Sequence, residues 1–578
     1  MPFYAETQPP PKQEFRWSNG KLPRSFDPAK AAAPPETDIV RALYEGLTEI
    51  DPATMKEIPG VAEKWTTSDD HRNWTFYLRD NARWSNGKPV TAFDFVRSWK
   101  RLADLGDKAA HEELLSNIMG FPQAMPKDTV ATGETTDLLN SLQRQTAAES
   151  NVSTSANALV PPTLQARTSN SNMNVNAAQR EKGPAPVSFG VVAADARTLN
   201  VTLLLPDRDF PKLVAHPIFR PIFDAAEVDG DKLNSNVVTN GAFHIAGIAA
   251  DGITLVKSDS YWNRDSVKLE RVRFVPYDSA EKALQAYRAG DLDAVTNAEF
   301  APLALKLLEP FQDFRRTTHS ALNFYEVNYE KPPFNDRRVR EALAIALERE
   351  RLTEGDLEGS TRPALQFMPF SKTAASIVPD KERARALLEE AGYPEGENFP
   401  AIRLVVNRND TQQRIARSVA KMWKQNLNIE TDIAVKEPSD LDAARKAGDF
   451  DLIRRGVVLP TPDETASFLS IFPSESPLAV DVSAKHQAAH DQELKPFNDE
   501  NSDIAEKFVA DDVAKEMILS EEDALYQFHA IPLYFPTSYS LVKPYVAGFE
   551  MNGLDAPLLN SVTIDNTWQP KMAGRESN

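Results

Sequence analysis

Trp74-Thr-Phe-Tyr-Leu-Arg79, followed closely by Ala82-Arg-Trp-Ser-Asn-Gly-Lys-Pro-Val-Thr-Ala-Phe-Asp-Phe-Val96, carries the clearest structural signal in the chain. Trp74, Phe76 and Leu78 fall on alternate positions, which predicts a half-buried strand. Ser85-Asn-Gly-Lys88 reads as a turn, because Asn-Gly takes positive φ at little cost. Thr91 then stands as an N-cap with Asp94 at the third helical position, opening a helix over Ala92–Leu102. Strand, turn and capped helix in quick succession predict a mixed α+β chain.

The same texture extends outward. Arg197–Leu205, Val272–Val275, Leu404–Val406 and Ile531–Phe535 are strand-like. Asp336 precedes a helix over Arg337–Glu350. Asp380 caps a helix over Lys381–Ala391, which Gly392 and Pro394 stop. Arg414–Gln425 has the pattern of an amphipathic helix. Residues 1–14 are rich in Pro and Gln and are expected to be a loose arm. Between about 127 and 186 the chain becomes small, polar and aperiodic. Such a segment buries too little apolar surface to offset its ordering entropy, so it is read as a disordered surface insertion with a short helix at Thr136–Arg144.

A length of 578 residues predicts three or four domains or one multi-lobed body. With 65 Lys and Arg against 84 Asp and Glu, the net charge is −19. That sign argues against nucleic acid and against an anionic membrane surface as the main partner. The absence of cysteine removes disulfides, thiolate metal sites and a Cys nucleophile. No apolar run approaches the ~18 residues that span a bilayer. The segment Met1–Glu6 lacks the basic and apolar regions of a signal peptide, which leaves open a cytoplasmic home or a leader removed or not included.

Searches for chemistry return little. There is no phosphate-cradling GxxxxGK[ST], no GxGxxG after a strand and no HExxH. His486, His490 and Glu493 would share a helix face and could hold zinc, but their surroundings are polar and a solvated face is the simpler reading. Ser418-Val-Ala-Lys421 matches SxxK, the serine acyl-transfer signature, without a following KTG. Four-residue patterns arise readily by chance. The expectation is a protein without catalytic residues, metal or cofactor.

One set of phrases recurs in a fixed order: Asp27-Pro28, Leu43-Tyr-Glu-Gly-Leu47, Val61-Ala-Glu-Lys-Trp65, the two stretches quoted first, Val238-Thr-Asn-Gly-Ala-Phe243, Ser260-Tyr-Trp262, Tyr287–Asp293, Lys331–Asp336 with Val339–Leu343, and Leu541–Pro544. This order resembles the oligopeptide- and dipeptide-binding proteins of bacterial ABC importers, from about Asp27 to Trp568. The resemblance implies a bilobal α/β (mixed α+β) fold like that of periplasmic binding proteins, with two hinge strands near Ser320–Asn328 and Ile531–Tyr539, and an extra domain. Domain I would comprise 1–45 with 218–318 and 536–578, domain II 46–217 including the polar insertion, and domain III 319–535. It further implies a monomeric, periplasmic or cell-envelope receptor that holds a peptide or peptide-like ligand between its lobes, by main-chain pairing, and docks on a membrane ABC permease. The alternative reading is a divergent receptor whose altered or lost binding makes it a sensor or interaction protein.

By the same resemblance, Phe450–Gly456 matches the strand that pairs with the ligand backbone. Arg454 matches a family arginine; it and Arg455 either take a ligand carboxylate or pair within the chain. Peptide binders place an Asp a few residues on, for the ligand's free amino terminus. Counting forward from Gly456 puts Pro460 there, and counting back from Ser467 puts Thr461. Asp463 or Glu464 substitutes only if the extra residue re-aims the loop. Val457 stands where the family has an aromatic residue, beside Val458. The opposite wall would be Ala32, Ala33 and Pro34, where Pro34 offers no N–H. Asn297, His319, Phe324, Tyr325 and Phe535 either line the pocket or fill the lobe cores. The cleft is therefore expected to be less specific for a free peptide amine.

Overall fold

The strand Asn73–Leu78 buries Trp74, Phe76 and Leu78, with Thr75 and Tyr77 half-exposed between them. Gly87 makes the following turn at φ +84°. The helix Ala92–Leu105 starts with a complete capping box, in which Thr91 and Asp94 satisfy each other's backbone. The strand lies inside a four-stranded antiparallel sheet, between Ala62–Thr67 and Thr198–Thr202, with Val191–Asp195 at the edge. The computed structural model describes residues 3–121, 189–228, 233–371, 373–472 and 520–570. The polar run 127–186, with its expected helix, and the set His486, His490 and Glu493 lie outside the described residues.

Two larger sheets organise the rest. A seven-stranded mixed sheet runs Phe314–Thr318, Thr537–Val542, Ala294–Val295, Glu14–Ser18, Arg271–Phe274, Gly252–Lys257 and Phe243–Ala249. A six-stranded mixed sheet runs Arg362–Pro363, Ala530–Phe535, Ala321–Val327, Leu452–Val458, Ile402–Asn407 and Thr431–Lys436. One large apolar core joins most of the first sheet to the four-stranded sheet, with Trp17, Trp84 and Trp99 fully buried. A second core packs the six-stranded sheet against the helices Arg337–Ile345, Lys381–Glu390 and Asp410–Leu427. The fold is bilobal.

The chain passes between the lobes at two adjoining places. Phe314–Thr318 belongs to the first lobe and Ala321–Val327 to the second; Ala530–Phe535 belongs to the second and Thr537–Val542 to the first. The His319 N–H donates to the Pro536 carbonyl at 2.9 Å, so the two crossings are tied side by side. This is the paired hinge that the resemblance implied.

Two local expectations need correction. Residues 3–14 are docked rather than loose. Tyr4 and Ala5 donate their N–H groups to Asp313 at 2.6 and 3.2 Å, and Gln13 Nε2 donates to the Ile564 carbonyl at 2.7 Å. Side-chain acceptors elsewhere in the chain thus supply what the segment's own periodicity lacks. The helix after Asp336 ends at Ile345, not Glu350. Fully buried Arg349 takes the Ala344 carbonyl at 3.1 Å and the Pro532 carbonyl at 2.7 Å, and these contacts turn the chain. Among the described residues no helix is long and apolar enough to cross a membrane.

Candidate functional site

The strand Leu452–Val458 is paired unequally on its two sides. One side pairs with Ala321–Val327 along its whole length, from Val458 opposite Ala321 to Leu452 opposite Val327. The other side pairs with Ile402–Asn407 only at Leu452 and Ile453. From Arg454 to Val458 no strand among the described residues occupies that side. Arg455, Gly456, Val457 and Val458 are half-buried there. An unpaired stretch of strand beside a cleft is a template for an added strand.

Arg454 and Arg455 have different partners. Arg455 Nη1 bonds Glu326 Oε2 at 2.9 Å and the Ile471 carbonyl at 2.8 Å, and its guanidinium lies 5.1 Å from the centre of the Phe324 ring. Glu326 is also held by Arg445 at 2.9 Å. Arg455 is therefore committed within the chain. Arg454 is buried and donates Nη2 to Asn323 Oδ1 at 2.6 Å. Burial lowers its pKa below the ordinary guanidinium value, and only the phenols of Tyr534 and Tyr325 oppose that shift. No carboxylate among the described residues pairs with it. Its guanidinium lies over Gly456, where an added Cβ would come 2.8 Å from Nη2. Glycine at 456 is what leaves room for it.

The loop that follows turns away from the unpaired side. Leu459 N–H donates to the Ser320 carbonyl at 2.7 Å, and Thr461 Oγ1 donates to the Lys212 carbonyl at 3.3 Å. Pro460, Thr461 and Pro462 close a cavity of about 20 Å³ against Arg41, Glu49, Lys212 and His216 of the first lobe. Asp463 has no exposed surface. Its Oδ1 caps the helix Glu464–Ile471 by accepting the Ala466 N–H at 2.7 Å, and its carboxyl meets that of Asp207 from the first lobe. Glu464 is exposed at the helix start. The loop thus runs inward, and Asp463 is buried against the first lobe.

The first-lobe wall is polar. Ala32 is exposed, and Ala33 and Pro34 are half-buried. His111 Nε2 lies 2.9 Å from the Ala32 carbonyl, which can only accept, so that nitrogen carries a proton. Burial opposes charge on His111, but Glu113 at 3.0 Å from Nδ1 outweighs it and raises the imidazole pKa. Asn297, at φ +50°, donates Nδ2 to the carbonyls of Asn19 and Pro34 at 3.2 and 3.5 Å. Asn19 Nδ2 in turn donates to Asp38 Oδ2 at 3.1 Å. His319 Nδ1 lies 3.2 Å from Asp555 Oδ2. Pro34 and Asn297 are thus joined through Asn19 to Asp38, while His319 is paired separately with Asp555. Phe324 and Tyr325 are wholly buried in the second core and Phe535 is nearly so, so in this conformation their contacts are those of packing.

Sequence reasoning missed Asn19, Asp38, Arg41, Asp207 and Asp555. Asp38 is drawn from the first helix, Glu36–Leu43, and Asp555 from the C-terminal tail. Nothing in their spacing announces the contacts they make.

The matched family model, bacterial extracellular solute-binding proteins, family 5, covers residues 56–477. The chain belongs to that family, whose members are binding proteins. It is 30% identical over 555 residues to the periplasmic oligopeptide-binding protein OppA of Salmonella typhimurium, covering 93% of this chain and 90% of that one. Among solved structures it matches MppA, a periplasmic murein tripeptide binding protein, in its unliganded open form, with TM-score 0.70, 26% identity and coverage of 97% and 98%. A second structure of Escherichia coli MppA gives TM-score 0.57 at 27% identity, with coverage of 96% and 99%. At nearly equal identity, the fit to the unliganded open form is the better of the two.

Proposed function

We propose that this chain is an extracytoplasmic receptor that captures a peptide or peptide-like ligand between its lobes and delivers it to an ABC permease. The observation that carries this reading is the strand Leu452–Val458, paired along one side by Ala321–Val327, with no strand of the described residues along the other side beyond Ile453. A ligand backbone laid along that side gains main-chain hydrogen bonds whatever its side chains, as an added strand does. Arg454 supplies a charged terminus for it. A buried guanidinium with a neutral amide as its side-chain partner is under-compensated, and a ligand carboxylate would complete it. Ala32–Pro34, Asn297 and His319 form the facing wall.

The receptor performs no chemistry on its cargo. Ser418 is only half-buried and Lys421 is exposed on the outer side of the helix Asp410–Leu427, far from the arrangement an acyl transfer needs. The relatives' printed names, oligopeptide- and murein-tripeptide-binding, support a peptide cargo. The inward turn of Asp463 supports a departure from the family's way of holding the amine.

The test is native mass spectrometry of the purified protein before and after denaturation, with X-ray scattering during peptide titration. Co-purified peptides, or added peptides that bind stoichiometrically and shrink the radius of gyration, support the reading. A protein that neither carries nor binds any peptide refutes it.

A further inference from the structure

We propose that Asn323 and Gly456 position the guanidinium of Arg454, and that the neutrality of Asn323 sets the specificity of the site by leaving the charge of Arg454 for a ligand carboxylate. This rests on the peptide reading above.

The strand register brings these groups together. Ala321–Val327 is the middle of three strands, with Asn323 opposite Gly456 on one side and Tyr534 on the other, and with Tyr325 opposite Arg454. Side chains alternate between the two faces of a sheet, and directly opposed residues share a face. Asn323, Tyr325 and Arg454 therefore lie on one face, and Phe324, Glu326 and Arg455 on the other. Glu326 takes Arg445 and Arg455 at 2.9 Å each on that second face. The pleat of the sheet thus keeps the carboxylate of this strand away from Arg454.

On its own face Arg454 meets uncharged groups. Nη2 donates to Asn323 Oδ1 at 2.6 Å, and the guanidinium occupies the space over Gly456. An added Cβ at 456 would stand 2.8 Å from Nη2 and 3.3 Å from Asn323 Oδ1, so it would collide with both members of that bond. The phenols of Tyr534 and Tyr325 are the other groups that act on the charge. Gln412, in the first turn of the helix Asp410–Leu427, donates Nε2 to the Tyr534 hydroxyl at 3.0 Å. Arg454 and Tyr325 are buried, yet Arg454 Nε and the Tyr325 hydroxyl make no hydrogen bond among the described residues. Buried polar atoms are nearly always partnered. Two buried donors beside one uncompensated positive charge suit an acceptor that brings negative charge, which is what a carboxylate is.

A carboxylate at 323 would reverse this logic. Asp matches Asn in size, and its oxygen would stand where Oδ1 stands, against Nη2. It would compensate the guanidinium within the chain and repel a second carboxylate. The same exchange would ease the burial of Arg454, because an uncompensated buried charge is costly. Binding and stability are therefore opposed at this residue, which is not so for an asparagine that only fills space.

The experiment uses random tetrapeptides as free acids and as C-terminal amides, competing for the full-length protein, with bound species read by native mass spectrometry and folding verified by thermal melting. The unaltered protein should enrich the acids about tenfold or more. Asn323→Asp should bring the acid-to-amide ratio to within about twofold without lowering Tm. Asn323→Ser, a neutral acceptor, should keep most of the preference. Gly456→Ala should lose it by displacing the guanidinium, and it is the deciding variant if Asn323→Asp does not fold. A ratio that stays at the unaltered value in folded Asn323→Asp or in folded Gly456→Ala overturns the inference, as does a loss in Asn323→Ser as complete as in Asn323→Asp. Equal binding of acids and amides by the unaltered protein also overturns it and leaves the peptide reading standing. Binding of neither removes the peptide reading, and this inference with it.

Discussion

Replacing Asp207 by Asn should stabilise the protein at pH 8 and do almost nothing at pH 4.5. Asp207 comes from the first lobe and Asp463 from the second, and they are 2% and 0% exposed. Each uses one oxygen locally: Asp207 Oδ1 accepts the Asp209 N–H at 2.8 Å, and Asp463 Oδ1 accepts the Ala466 N–H at 2.7 Å. The two carboxyls face each other with neither Oδ2 otherwise partnered, an arrangement that favours a proton held between them. Burial raises both pKa values, and at Asp207 the charge of Asp463 adds to the rise. Asp209 pushes Asp463 the same way, while Lys212 opposes it but is itself paired with Asp209 at 2.5 Å. A carboxyl whose folded pKa is raised contributes stability that is complete below its unfolded pKa, near 4, and is lost as pH climbs through the folded value. At pH 8 the pair approaches two charges in contact, worth about 4 kcal/mol at 4 Å with an effective dielectric of 20. Asn at 207 removes one charge and still donates to Asp463. Over 578 residues, an unfolding entropy of roughly 2 cal/mol/K per residue gives a rise of about 3 °C in Tm for that energy. Calorimetry at both pH values is the assay. Because Ala466 packs into the first lobe's core, scattering should also show the unaltered protein loosening between its lobes as pH rises. A variant equally destabilised at both pH values would refute the shared proton.

Arg454→Gln should weaken peptides with a free carboxylate by about ten- to a hundredfold, the range of a lost charge-assisted bond, and leave their C-terminal amides nearly unaffected; isothermal titration of matched acid and amide peptides checks this. Asp27→Ala should cost about 3–5 kcal/mol, because it removes a carboxylate that Arg101 bonds through both oxygens at 3.1 and 2.6 Å inside the first lobe and that also caps the Ala29 N–H. Urea unfolding measures it, and a loss under 1 kcal/mol would show that water reaches Arg101 readily.

Local signals in the chain were legible wherever they are self-contained. Thr91 with Asp94, Asp380 before Lys381, and the alternation of Trp74, Phe76 and Leu78 act within one turn or one strand, and the structure reproduces them. The fold followed from the order of short phrases, which the chain shares with the family it belongs to. What stayed hidden depends on residues far apart in sequence. The docking of residues 3–14 needs Asp313 and Ile564, and the early end of the helix at Ile345 needs Arg349 to find Pro532. In the site, the sequence left Arg454 and Arg455 equivalent; only Glu326 on the neighbouring strand separates them. The same holds for Asp463, whose inward turn is set by Asp207 and by a loop packed on Lys212.

The distribution of unmet charge bears on how such a receptor closes. Arg454 sits on the second lobe, and no carboxylate among the described residues pairs with it. A ligand moves an equilibrium only by binding one state better than the other. A peptide laid along the strand Leu452–Val458 can meet Arg454 with the lobes apart, and gains contacts with the first lobe only when they close. A difference of about 3 kcal/mol between the states shifts their ratio by more than a hundredfold. A peptide too short to reach the first lobe from Arg454 should therefore bind without closing the lobes. Scattering at saturating peptide reads that directly: a dipeptide should leave a larger radius of gyration than a tetrapeptide, and identical radii would break the link between first-lobe contact and closure.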